Sequence, residues 1–149
     1  MRTWPDSWEA RKRGDSCPFC SDVAAQSFWR GRASDALLER KGIANGHAVV
    51  AFRGRHAASL TDLTAAELAA FWQDIQDVGR MVERVFSPCH MNYMLLGNMV
   101  PHVHVHVVPR YLDDAAPGRA LSWDAPDMPA DEYARQFQQL QAISASLVR

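Results

Sequence analysis

The chain has 149 residues, 16 Lys plus Arg against 17 Asp plus Glu for a net charge of −1, and 48% hydrophobic residues. That length suits one domain, 1–149, with a sizeable core, and the scattered basic residues exclude broad electrostatic binding to nucleic acid or an anionic membrane. No run approaches the ~18 apolar residues of a membrane span, the N-terminus lacks the apolar core of a signal peptide, and the cysteines do not make a secreted disulfide framework, so a cytoplasmic location is expected.

In chain order, residues 1–16 carry Trp4 and Trp8 among charges, and Asp6 to about Arg13 is expected to form a short helix ending at Gly14. Cys17-Pro-Phe-Cys20 follows. In a reducing compartment this pair is either a metal clip or a redox couple. Ser27 to Arg32 and Ala36 to Arg40 read as short strands, 41–46 as a turn, and His47 to Phe52 as an apolar strand that can pair antiparallel with its predecessor.

Thr64-Ala-Ala-Glu67 is a capping-box signature. After it Leu68, Phe71, Trp72, Ile75, Val78, Val82, Val85 and Phe86 share one helical face until Ser87-Pro88 stops the helix. Cys89 has no sequence partner and is expected to fill space as a small apolar residue. His90 to Leu96 reads as a strand, Gly97-Asn98 as a turn, and residues 102–108 as a second strand, the short connection making the two antiparallel neighbours. The proline- and aspartate-rich segment 112–129 is taken as a surface loop. Asp131 to Val148, with Tyr133, Phe137, Leu140, Ile143 and Leu147 at helical spacing, closes the chain as a helix. The five tryptophans are read as packing residues, and the class is α+β.

Within 98–110, His102, His104 and His106 alternate with Val103, Val105 and Val107. Strand side chains alternate in direction, so the histidines share one face and the valines can enter a core on the other. Pro101 and Pro109 mark the ends, since neither donates a ladder hydrogen bond. Three explanations are open: a solvated face, metal ligands, or at least one nucleophile or acid/base.

The run His102 to Val108 resembles the defining His-φ-His-φ-His-φ-φ motif of the histidine triad (HIT) superfamily, with φ apolar. Cys17-x-x-Cys20, the Gly46-His47 strand, Arg55-His-x-x-Ser-Leu60, Asp62-Leu63-Thr64 and Pro109-Arg110 follow in that family's order, and the resemblance covers about residues 15–111, with 1–14 and 112–149 as extensions. It is similar to the Cys-bearing bacterial-type branch.

The resemblance implies an antiparallel sheet of about five strands with one long central helix and a C-terminal helix, usually a homodimer. It implies a hydrolase cleaving a purine nucleotide at the α-phosphate, either a nucleoside phosphoramidate or a dinucleoside polyphosphate, through a nucleotidyl-histidine. His104 matches the nucleophile, His106 and His47 the phosphate contacts, Asn98 a further donor, and Glu39 an acid facing the ribose hydroxyls. Cys17, Cys20, His56 and His102 match the zinc ligands of the branch, a closed structural Cys₂His₂ set; no organic cofactor is implied. A nucleotidyltransferase and a non-enzymatic nucleotide sensor are the alternatives.

Two departures stand out. Phe52-Arg-Gly-Arg-His56 lacks the family's proline and is one residue longer, and Gly97-Asn98-Met99 replaces a glycine-rich loop with a hydroxyl donor. There is no Gly-x-x-x-x-Gly-Lys-Ser/Thr loop, so no P-loop site competes.

Overall fold

The computed structural model describes residues 4–21 and 23–147. Five strands, β1 (Ser27–Arg30), β2 (Ser34–Leu38), β3 (Ala48–Phe52), β4 (His90–Met94) and β5 (His104–Arg110), form one antiparallel sheet in the order β1-β2-β3-β5-β4. Helix α1 (Trp8–Lys12) precedes the sheet, α2 (Ala65–Phe86) lies between β3 and β4, and α3 (Ala130–Leu147) ends the fold. The expected α+β class, five-stranded sheet and long central helix are all present. The C-terminal helix runs from Ala130, and Val148 lies outside the described residues.

The alternation that defined the histidine strand also sets the layers. Val103, Val105 and Val107 join Ala36, Leu38, Ala48, Val50 and Phe52 in a core against Phe71, Ile75, Val78 and Val82 of α2 and Leu140 of α3. Both helices pack on that face, which leaves the histidine face open. Thr64 caps α2 by accepting from Glu67 N while Glu67 accepts from Thr64 N, the reciprocal pair its sequence predicted.

Several expectations are corrected. Pro109 does not end β5; it lies within it, opposite Met91, beyond the last β3 pair at Val107, where the sheet is one strand narrower and a missing donor costs least. Trp72 is 42% exposed, and Leu147 is also exposed, so neither helical stripe extends as far as its periodicity implied. Cys89 is exposed, and its thiol donates to Arg110 O instead of filling the core.

Asp74 is the unexpected member of the α2 core face. It is fully buried and accepts from Arg32 N, Ala33 N and Ser34 Oγ, closing the β1–β2 turn from below. Gly31 makes this approach possible, because a Cβ there would stand 2.4 Å from the carboxylate.

Candidate active site and metal cluster

His102 lies just before β5, yet the extended alternation already holds there. Val103 N donates to Ala57 O at 2.7 Å and Phe52 N to Val103 O at 2.9 Å, so backbone pairing continues past the formal strand end. His102, His104 and His106 therefore face away from the helices, with His102 1% and His104 6% exposed.

Backbone carbonyls decide what each ring can do. His102 Nε2 lies 2.7 Å from Phe52 O, and His104 Nδ1 lies 2.6 Å from His102 O. A carbonyl only accepts, so each of those nitrogens carries the ring proton and the other nitrogen keeps its lone pair. His102 is thereby a base at Nδ1 and His104 a base at Nε2. Burial holds both rings below the ordinary histidine value, partly opposed by those carbonyl bonds.

At the His102 end, Cys17, Cys20, His56 and His102 converge with all four ligand atoms within 4.8 Å of one another. His102 Nδ1 is 3.4 Å from Cys17 Sγ, 3.6 Å from Cys20 Sγ and 3.4 Å from His56 Nδ1, and Cys20 Sγ is 3.3 Å from His56 Nδ1. A tetrahedral ion with bonds of about 2.05 Å to nitrogen and 2.3 Å to sulfur needs edges of about 3.3 Å between nitrogens and 3.6 Å between nitrogen and sulfur. The residues fit.

His56 Nε2 is held by Lys12 O at 2.9 Å, so its Nδ1, like that of His102, is the unprotonated nitrogen facing the thiols. Desolvation and the adjacent Cys17 push the Cys20 thiol up to about 11, resistance to ionisation that a bound divalent cation would reverse. The longer 53–56 turn does not misplace His56. Gly14, at φ +95°, ends the N-terminal helical turn where a Cβ would come within 2.9 Å of the His56 ring, so the segment from Lys12 to Gly14 shapes the cluster's outer wall.

At the other end, His106 Nδ1 and His47 Nε2 are 3.1 Å apart, and one of them must donate. His47 is fully buried and its Nδ1 has no partner among the described residues. An orphaned buried N–H is the costlier defect, so the network assigns the His47 proton to Nε2, where it donates to His106, and the His106 proton to Nε2 on the far side of that ring. Burial lowers both rings to about 4, with His47 and His104 also acting on His106. Both are neutral at pH 7.

β3 places Val49 on the histidine face, opposite His106, with Ala51 opposite His104, and His47, just before the strand, turns its Nε2 to His106. Above them is a cavity of about 350 Å³ lined by His104, His106, Glu39, Asn98, Phe19 and Trp123 among others. Glu39 is half-buried, and one of its oxygens accepts from Lys41 N, which leaves its carboxylate further acceptor capacity. Asn98 is exposed on the cavity's rim, and Gly97, at φ +68°, turns the chain into that rim. A larger groove of about 780 Å³ lies by β4 and Arg110; His90 lines it, but His47, His102, His104 and His106 do not.

The structure thus brings Cys17, Cys20, His56 and His102 into one cluster, and His104, His106, Glu39 and Asn98 around one cavity; His47, expected as a phosphate contact, is instead fully buried behind His106 and does not line the cavity. Sequence reasoning missed Phe19, whose ring is 5.0 Å from that of His104, and Trp123, whose ring is 4.5 Å from that of His106. Phe19 was hidden inside the Cys pair. Trp123 had a signal of its own, a large aromatic in a loop that offered no helix or strand to absorb it.

A five-stranded antiparallel sheet with a helix-free face of alternating histidines defines a histidine-triad protein. The HIT domain family model matches residues 23–113, and the chain belongs to that family.

Among relatives, it is 37% identical over 93 residues to the Bis(5'-nucleosyl)-tetraphosphatase [asymmetrical] of Schizosaccharomyces pombe, covering 59% of this chain and 50% of the relative. It is 28% identical over 94 residues to a Bis(5'-adenosyl)-triphosphatase of Saccharomyces cerevisiae, covering 60% and 46%. The chain therefore spans about half the length of the curated relatives it matches. A histidine triad protein from Marinobacter aquaeolei superposes with TM-score 0.71 at 22% identity, covering 89% of this chain and 98% of that one. A Zn-bound histidine triad family protein from Mycobacterium smegmatis superposes at 0.66 with 23% identity, covering 89% and 97%.

Proposed function

We propose that the chain hydrolyses a nucleotide at its α-phosphate, the substrate being a dinucleoside polyphosphate or a nucleoside phosphoramidate, with His104 as nucleophile. The observation that carries this reading is the capture of His104 Nδ1–H by His102 O, which leaves a buried, neutral Nε2 lone pair on a ring that lines the cavity. The names of the tetraphosphatase and triphosphatase relatives support the dinucleoside class.

In the first step His104 Nε2 forms an N–P bond and becomes cationic while the bond from phosphorus to the leaving oxygen or nitrogen breaks. His106 Nε2–H donates a hydrogen bond to the departing atom, a phosphate oxygen leaving as the anion and an amine taking its proton from solvent. In the second step, water attacks phosphorus, the N–P bond breaks to restore neutral His104, and the water proton passes to solvent. Because such transfers are mostly positioning and charge stabilisation, the remaining roles are orientation: His47 fixes the His106 tautomer, Asn98 donates to the phosphate, and Glu39 accepts from ribose hydroxyls. Zinc is the ion assigned to the Cys17, Cys20, His56 and His102 cluster. Four protein ligands saturate it, so its contribution there is to brace the N-terminal segment against the histidine strand.

Turnover of both substrate classes by the wild type and by His104→Ala tests the reading, with inorganic phosphate added in parallel to separate hydrolysis from transfer. Turnover that is unchanged in His104→Ala would reject it. The open edge at β4, with Tyr93, Leu95 and Leu96 exposed on and just after it, supports the homodimer reading, which light scattering can check.

A further inference from the structure

Trp123 comes from the loop between β5 and α3, beyond the residues the family model matches. Its ring nevertheless lies T-shaped against His106, 4.5 Å between centroids, and 5.5 Å from His47. Phe19 stands at the opposite end of the same row, 5.0 Å from His104, and the His104 and His106 rings are 5.1 Å apart. The cavity is therefore flanked by two aromatic walls, the attacking ring beside one and the ring that hydrogen-bonds the leaving group beside the other.

The loop that carries Trp123 is tied down on both sides. After it, Gly42 N donates to Pro126 O at 2.9 Å, Met128 N to Arg40 O at 2.7 Å, and Lys41 Nζ pairs with Asp127 at 2.7 Å. Before it, the buried Arg110 guanidinium donates to Asp114, Ala116 O and Arg119 O. Trp123 is thus held in place, yet it keeps 39% of its surface exposed.

A cavity of about 350 Å³ is at the small end for ligand pockets and suits one nucleotide rather than two. A dinucleoside substrate must rest its second half across a wall. In-line displacement puts the departing oxygen opposite the attacking nitrogen, on the side where His106 Nε2–H donates its hydrogen bond, and the cavity-lining aromatic wall against His106 is Trp123.

We propose that Trp123 forms the leaving-group subsite and stacks on the base of the departing nucleotide, so that the chain favours a dinucleoside polyphosphate over a phosphoramidate. This rests on the His104 reading above.

The test compares kcat/KM for diadenosine tetraphosphate with that for adenosine 5′-phosphoramidate, whose leaving group is ammonia, in wild type, Trp123→Ala and Trp123→Phe. Stacking on an aromatic ring contributes roughly tenfold to a hundredfold per base. Trp123→Ala should lower the ratio of the two kcat/KM values by about that factor, mainly through the KM of the dinucleotide, and Trp123→Phe should restore most of it. A loss of equal size on both substrates, or none on the dinucleotide, overturns the proposal. Binding of diadenosine tetraphosphate and of AMP in a His104→Ala background reads the same subsite without turnover. There Trp123→Ala should weaken the dinucleotide at least tenfold more than AMP, and equal weakening overturns the proposal. If the wild type hydrolyses neither substrate, the hydrolase reading fails while this binding ratio still decides Trp123.

Discussion

His102 and His104 are two residues apart on one face, both buried and both bound to a backbone carbonyl, yet the carbonyls take opposite nitrogens. Phe52 O holds Nε2 of His102 and His102 O holds Nδ1 of His104. The first ring turns its lone pair toward two thiols and a second imidazole; the second keeps its lone pair for the cavity. Residue type and burial are the same at both positions, so the difference in role comes from hydrogen-bond geometry, which a strand pattern cannot specify.

That contrast can be broken from either side. The largest effect is expected at the cavity end, where His104→Ala should lower kcat/KM at least about 10⁴-fold, as loss of a nucleophile does. His106→Ala, which removes the hydrogen-bond donor to the departing atom, should cost about 10²- to 10³-fold. Steady-state kinetics on purified variants check both, and zinc content should stay near one per chain in each.

Cys17→Ser should do the reverse. Metal analysis should fall from about one zinc per chain to near zero, and the melting temperature should drop by roughly 10 °C, as expected for losing a structural site worth several kcal/mol. Activity measured where the variant is still folded should fall less than about tenfold. A loss as large as that of His104→Ala would erase the division between the two ends.

How far this division was legible from sequence differs by level. The capping box, the valine-histidine alternation and the antiparallel neighbours are local patterns, and each predicted its element. The site residues came from motif resemblance, and the structure puts them around one cavity and one cluster, except His47, which is buried behind His106. The tautomers of His102 and His56 were not legible, because they depend on Phe52 O and on Lys12 O, carbonyls distant in sequence, and that of His104 rests on the nearby His102 O, whose use of Nδ1 a strand pattern does not specify. Nor was Trp123: its loop reads as polar and proline-rich, and only the long-range ties at Arg40, Gly42 and Arg110 bring it to His106. Asp74 was missed for a related reason, since a helical periodicity search does not anticipate a buried carboxylate satisfied by a turn 40 residues earlier.

A smaller effect is expected on titration. His47 and His106 sit at about 4 against an ordinary 6.5 because burial disfavours the charged ring. Below pH 6.5 the unfolded chain therefore binds protons that the fold refuses, and stability declines as pH falls from about 6.5 toward 4; for the fully buried His47 this is worth about 3 kcal/mol at most. NMR titration of the imidazole C–H signals should place both midpoints well below 6.5. A midpoint for His106 near 6.5 would mean that the ring is hydrated and that the neutral relay with His47 does not persist.

The central claim is that His104, and neither of its neighbours on the strand, bonds to phosphorus. Acid-sensitive phosphoramidate linkages can be preserved by alkaline quenching and mapped by peptide mass spectrometry after brief reaction with diadenosine tetraphosphate. The account predicts a nucleotidyl adduct on His104 in the wild type and in Cys17→Ser, and none in His104→Ala. An adduct on His102 or His106, or one that survives His104→Ala, would contradict it.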